Sequence, residues 1–192
     1  MEDLFWGRFN GIVPATTKYH TSDATIRRLL KGFTEILAPL GLVINKSTWK
    51  IEGNEAYLRH FAYTIFMDLI RDTWPFDYIQ ETEVAQTVQK MMAFFNVEVA
   101  ETVTRRVKYM VAISKVRSAQ GAEYRPSAEQ ETYLEGNKHY QAFIEEMTAT
   151  TLFLNKNDLT FVYFFLLAND QFYQDEATAQ AILAHLDRKS VV

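Results

Sequence analysis

The sequence predicts a mainly α-helical chain whose N-terminal third carries one short β-hairpin directly after a basic amphipathic helix. Three observations predict it. Apolar residues recur at three- and four-residue spacing along most of the 192 residues. Two β-prone runs, residues 42–44 and 49–51, flank the polar turn Asn45-Lys46-Ser47-Thr48. Hydrophobic residues at 48% and charged residues at 23% give the balance of a chain that folds around a core.

The elements follow in order. Residues 2–10, EDLFWGRFN, bring Leu4, Phe5, Trp6 and Phe9 together behind the acidic Glu2 and Asp3, which a helix dipole favours at its start. This predicts a short first helix broken by Gly11. Pro14, with its fixed φ, suits the first turn of a second short helix over 14–19. Next come His20, Thr21, Ser22 and Asp23, and any of the last three can cap a following helix. Two helices joined by about four residues form a helix-turn-helix pattern.

From Ala24 the apolar positions Ile26, Leu29, Leu30, Phe33, Ile36, Leu37 and Leu40 fall on one helical face, while Thr25, Arg27, Arg28 and Lys31 occupy the other. Read alone, this is an amphipathic helix with solvated basic residues. The next segment changes the reading. Gly41 ends the helix, and a hairpin straight after it has the place of a wing. The start of the second helix of such a motif reaches base edges, which suits Thr25 and Arg28 to base or phosphate contact, with Ser22, Arg27 and Lys31 as further DNA-binding residues. The hairpin would present Lys46 and Lys50 to phosphates, with Trp49 packed beneath it. The expected fold is a winged helix-turn-helix, and the expected partner is double-stranded DNA.

After Gly53 a helix is expected over 54–71, with Leu58, Phe61, Ala62, Ile65, Phe66, Leu69 and Ile70 on a wide apolar face. Asp72, Pro75 and Asp77 break the pattern, so residues 1–71 are assigned to the winged helix-turn-helix and its linking helix. Residues 72–192 are then a second, helical bundle of about five helices with regulatory character. Helices are expected over 81–95, 98–119, 127–133, 138–148, 159–168 and 176–188, with Asn96, Gly121 and Gly136 as interruptions, Ser127 as a cap and Asn155 to Asp158 as a cluster of capping residues before the apolar run at 159.

Several function classes drop out. Zero cysteines removes disulfides, thiolate zinc sites and cysteine nucleophiles, and the four histidines at 20, 60, 139 and 185 share no short ligand spacing. Neither a metal nor a cofactor is expected. No glycine-rich phosphate loop, GxSxG or HExxH is present, and acidic pairs such as Glu81 with Glu83 and Glu145 with Glu146 read as helix surface charge, so an enzyme is not expected. No apolar run reaches the roughly 18 residues of a membrane span, and the first ten residues lack the features of a signal peptide. A cytoplasmic chain without a membrane partner is expected. The formal net charge of −4 speaks against indiscriminate coating of nucleic acid but leaves a local basic patch open.

The run YHTSDATIRRLLKGFTEILAPLGLVINKSTWKIEGNEAYLRHFAYTIFMDLI, residues 19–70, resembles the Mga helix-turn-helix domain of Gram-positive transcriptional regulators, a family of virulence and sugar-responsive activators that includes AtxA-like proteins. The resemblance rests on the capped ATIRRLLK helix, the Gly-Leu before the wing and the IEGNE after it. Residues 110–126, MVAISKVRSAQGAEYRP, and 153–173, FLNKNDLTFVYFFLLANDQFY, are similar to the helical domain of that family related to phosphotransferase-system regulation domains. This second resemblance implies a homodimer and a histidine that takes a phosphoryl group from a phosphocarrier, with His139 and His185 as candidates. Family members usually carry further domains at both ends, so a short homologue or a fragment is expected. The competing expectation is a helical interaction or dimerisation module whose winged helix no longer reads DNA.

Overall fold

A computed structural model describes residues 2–69, 74–150, 154–173 and 176–183. Among these residues there are ten α-helices and one two-stranded antiparallel sheet. By its contacts the chain divides into two compact units, Met1–Thr64 and Ile65–Val192.

The first unit opens with α1 (Glu2–Phe5) and α2 (Ile12–Lys18). The first helix is shorter than its apolar pattern predicts, because Gly7 already takes a left-handed φ of 67° and ends it. Gly11, at φ 118°, then leads into α2. The two helices are tied together by Asp3, whose carboxylate accepts hydrogen bonds from Lys18 and Tyr19. Burial alone would raise the Asp3 pKa, but these two donors outweigh it and hold the carboxyl below its ordinary value. The tie is therefore present above the usual aspartate range and is lost as the pH falls through the depressed value.

Helix α3 (Asp23–Leu37) starts at Ser22 and runs into a 3-10 turn, Ala38–Leu40, which closes on Gly41 in the left-handed conformation. The hairpin pairs β1 (Val43–Asn45) with β2 (Lys50–Glu52) in the register Val43 with Glu52, Ile44 with Ile51 and Asn45 with Lys50. Each strand thus lies one residue later than the β-prone runs predict. The shift follows from Asn45, whose carbonyl accepts from Trp49 N–H and whose Oδ1 accepts from Ser47 and Thr48 N–H, so that the turn proper is 46–49. Helix α4 (Glu55–Leu69) is capped by Asn54, whose Oδ1 accepts from the N–H groups of Ala56 and Tyr57.

The core of this unit is built from Leu4, Phe5, Phe9, Ile26, Phe33, Leu37, Leu42, Ile51, Leu58 and Ala62. Three of the apolar positions expected to point inward from α3 and the 3-10 turn that follows it do not. Leu29 is 62% exposed, Ile36 52% and Leu40 37%. Ile26, Phe33 and Leu37 occupy the centre of the buried stripe, and the other three lie to one side of it, past the edge of the layer beneath. On α4, Arg59 is fully buried beside Glu55, its Nε 3.4 Å from Glu55 Oε2. Residues 70 and 71 of the expected helix lie outside the described residues.

The second unit contains α5 (Glu81–Phe94), α6 (Glu101–Ala119), α7 (Ala128–Leu134), α8 (Lys138–Thr150), α9 (Lys156–Leu167) and α10 (Glu176–Leu183). Helix α5 packs on α6, α6 on α9, α9 on α8 and α8 on α5, which closes a four-helix ring. Sequence signals place these ends well. Asn96 adopts φ 51°, Ser127 and Gln130 form a capping box, and Asn155 caps α9 while its Nδ2 donates to Ser118 Oγ at the end of α6. The ring is filled by aromatic side chains, with Phe95 contacting Phe143, Tyr163 and Phe172 at centroid distances of 5.9, 6.2 and 5.5 Å. No helix among the described residues is long and apolar enough to cross a membrane.

Candidate nucleic-acid interface

Four residues, 19–22, join α2 to α3, and the chain turns at His20 with φ 48°. Ser22 follows in extended conformation and its Oγ accepts from Thr25 N–H at 3.2 Å. Of the three candidate caps, Ser22 is the one used. Its hydroxyl also lies 3.0 Å from Thr25 Oγ1. Ser22→Ala is expected to cost about 1 kcal/mol of folding stability, a typical price for losing an N-cap, measured by urea unfolding.

Arg27, Lys31 and Glu35 of α3, Ile44 and Lys46 of the hairpin and the Trp49 ring line one groove of about 480 Å3. The helix supplies its cations at i and i+4, so both fall on the wing side of α3. Arg27 is ion-paired with Asp23 one turn earlier, and Lys31 Nζ lies 4.0 Å from Glu35 Oε1. All four side chains are well exposed, and exposed pairs of this spacing stabilise by only about 0.3–0.5 kcal/mol, so an incoming phosphate can displace either carboxylate.

The wing is braced from both ends. Asn45 Nδ2 donates to Glu52 Oε1 across the hairpin at 2.8 Å. Trp49 takes a left-handed φ of 55°, which turns its ring under the hairpin and edge-on to Phe9 at 5.1 Å. The expectation that Trp49 packs beneath the wing holds. Gly11 lies against the Trp49 ring, where a Cβ would stand 3.4 Å from Nε1 in ordinary van der Waals contact, so what calls for glycine there is its φ of 118°.

The structure brings together Arg27, Lys31 and Lys46. Arg28 is exposed on α3 but outside this groove, and Lys50 is exposed on β2 opposite Asn45. Thr25 is turned away, half-buried and lining a separate depression with Leu29 and Phe33. Residues 22–50 hold five basic side chains against two acidic ones, an excess of three positive charges on a chain whose formal net charge is −4. Sequence reasoning missed Glu35 and the pairing of Arg27. Both were readable from the Asp23/Arg27 and Lys31/Glu35 spacings, which are the helical i,i+4 distance.

His139 in the second unit is half-buried. Its Nδ1 lies 3.0 Å from Tyr163 Oη, and its ring meets those of Phe94 and Phe95 at 5.1 and 5.3 Å. Burial lowers its pKa below the ordinary histidine value. His185 lies outside the described residues.

Short helices α1 and α2, a capped third helix with an uncovered basic face and a braced two-stranded wing define a winged helix-turn-helix. Residues 1–66 match the family model described as the Mga helix-turn-helix domain. The match takes in all of α1 and α2, ahead of the resembling stretch that begins at Tyr19. A search of curated proteins found none that matches.

Proposed function

We propose that this chain is a DNA-binding transcriptional regulator of the Mga kind, with α3 in the major groove and the hairpin on the flanking phosphate backbone. The observation that carries the reading is the convergence of Arg27, Lys31 and Lys46 on one groove beside an exposed helix face. The family match over residues 1–66 supports it. In this reading Arg27, Lys31, Lys46 and Lys50 contact phosphates, and Ser22 and Thr25 support the helix start instead of touching bases. The second unit acts as the regulatory and dimerisation module, which doubles the contact surface by pairing two winged helices.

Phosphoryl control is not carried to His139 in this reading. His139 Nδ1 is engaged by Tyr163 and its ring rests against those of Phe94 and Phe95, which supports a packing role for it. Transfer from a phosphocarrier of the sugar phosphotransferase system then falls to His185.

The test is binding to a mixed-sequence duplex, followed by fluorescence anisotropy over a salt series. Four phosphate contacts from one winged helix give a log–log salt slope of about −3.6, so affinity is expected to fall at least roughly 100-fold between about 50 and 200 mM salt, and more steeply when two winged helices bind together. A chain with no salt-dependent affinity for duplex DNA at low ionic strength would sink the proposal.

A further inference from the structure

The three cations of α3 are not equivalent. Arg27 is held by Asp23, and Lys31 faces Glu35; both look into the wing groove. Arg28 is exposed, lines neither that groove nor the depression on the other side, and among the described residues has no ion pair or hydrogen bond. It sits one turn after Ala24, whose methyl leaves the helix surface low enough to approach a groove floor. In the first turn Asp23 is held by Arg27, and Thr25 is half-buried, with its hydroxyl at Ser22.

A recognition helix meets base edges with its N-terminal residues. Phosphate contacts position a protein, whereas base contacts specify the sequence. The residue best placed to specify is therefore exposed, near the helix start and turned away from the wing groove that takes Arg27 and Lys31. Among the described residues of α3, Arg28 is the side chain that combines these properties with donors for a base. A guanidinium fork matches the O6 and N7 acceptors of guanine, which no other base presents together in the major groove. Resting on the DNA-binding reading, we infer that Arg28 reads a guanine and sets the sequence specificity, while Arg27, Lys31 and Lys46 hold the backbone.

The experiment selects sites from a pool of duplexes randomised over about two helical turns, using the full chain, Arg28→Ala and Arg27→Ala. All three fold alike, because both positions are exposed, and thermal unfolding checks this. The parent is expected to enrich a site with a fixed guanine, and replacing it by 7-deazaguanine, which lacks the N7 acceptor, should weaken parent binding roughly 10-fold. Arg28→Ala should lose the preference at that base pair and be indifferent to 7-deazaguanine. Arg27→Ala should bind more weakly everywhere yet keep the guanine. The inference is overturned if Arg28→Ala selects the same base as the parent, or if the parent is indifferent to 7-deazaguanine throughout its site. Either result leaves DNA binding standing. A parent that retains no duplex at low salt removes the DNA-binding reading itself, and this inference with it.

Discussion

Gly53→Ala is expected to destabilise the first unit by about 3 kcal/mol, combining the cost of a forbidden backbone conformation with that of overpacking. Gly53 joins the wing to α4 with a φ of 143°, where L side chains are rarely found. A Cβ there would lie 2.7 Å from Leu42 Cδ2 and 2.9 Å from the Gly41 carbonyl oxygen. Leu42 is fully buried and the carbonyl belongs to the turn that ends the α3 segment, so neither can yield without moving the hairpin. Gly32 is the internal comparison. It lies within α3 at an ordinary helical φ, and a Cβ there meets nothing within 4 Å. Gly32→Ala should therefore stabilise by about 0.5–1 kcal/mol through helix propensity. Urea unfolding of both variants decides the matter, and a Gly53→Ala chain as stable as its parent would refute the account of the wing junction.

The combined change Arg27→Ala/Arg28→Ala/Lys31→Ala should leave folding within about 1 kcal/mol of the parent while lowering duplex affinity at least roughly 100-fold at about 100 mM salt. All three side chains lie outside the core, and the two ion pairs lost are exposed. The salt slope should become shallower by about 2, one unit each for Arg27 and Lys31, because a base contact from Arg28 releases no counterion of its own. Anisotropy titrations on the parent and the variant over the same salt range measure both quantities. An unchanged slope would mean that the α3 face is not where the phosphates lie.

Much of this architecture was legible because its signals are local. The helix ends at Ser22, Gly41, Asn96, Ser127 and Asn155 are marked by residues whose side chains or backbones satisfy the terminal groups. The second unit's helices follow from these stops combined with apolar spacing. What the sequence concealed depended on distant partners. Leu29 and Ile36 have the periodicity of core residues, but whether a stripe's edge is covered depends on the width of the layer beneath it. Arg59 reads as one more polar residue on a helix, yet it is enclosed beside Glu55. The turn at Trp49 needs a left-handed tryptophan, which no propensity would assign, and its reason is the Phe9 ring forty residues earlier.

At the candidate site, residue type was more visible than role. The basic residues of α3 and the wing can be listed from the sequence, but their division between groove, open face and strand edge is set by the angle at which each leaves its backbone. Thr25 shows the difference, since the two positions between it and Arg27, a little over half a helical turn, put it on the opposite side.

Glu35 also bears on how a protein of this kind would search a chromosome. A carboxylate inside a phosphate-seeking groove repels every duplex alike, whatever its sequence, whereas hydrogen bonds to a base reward one sequence. With the groove on DNA as proposed, its effect would be to shorten each visit to an incorrect site without changing what distinguishes the correct one, so that less time would be spent stalled on irrelevant DNA.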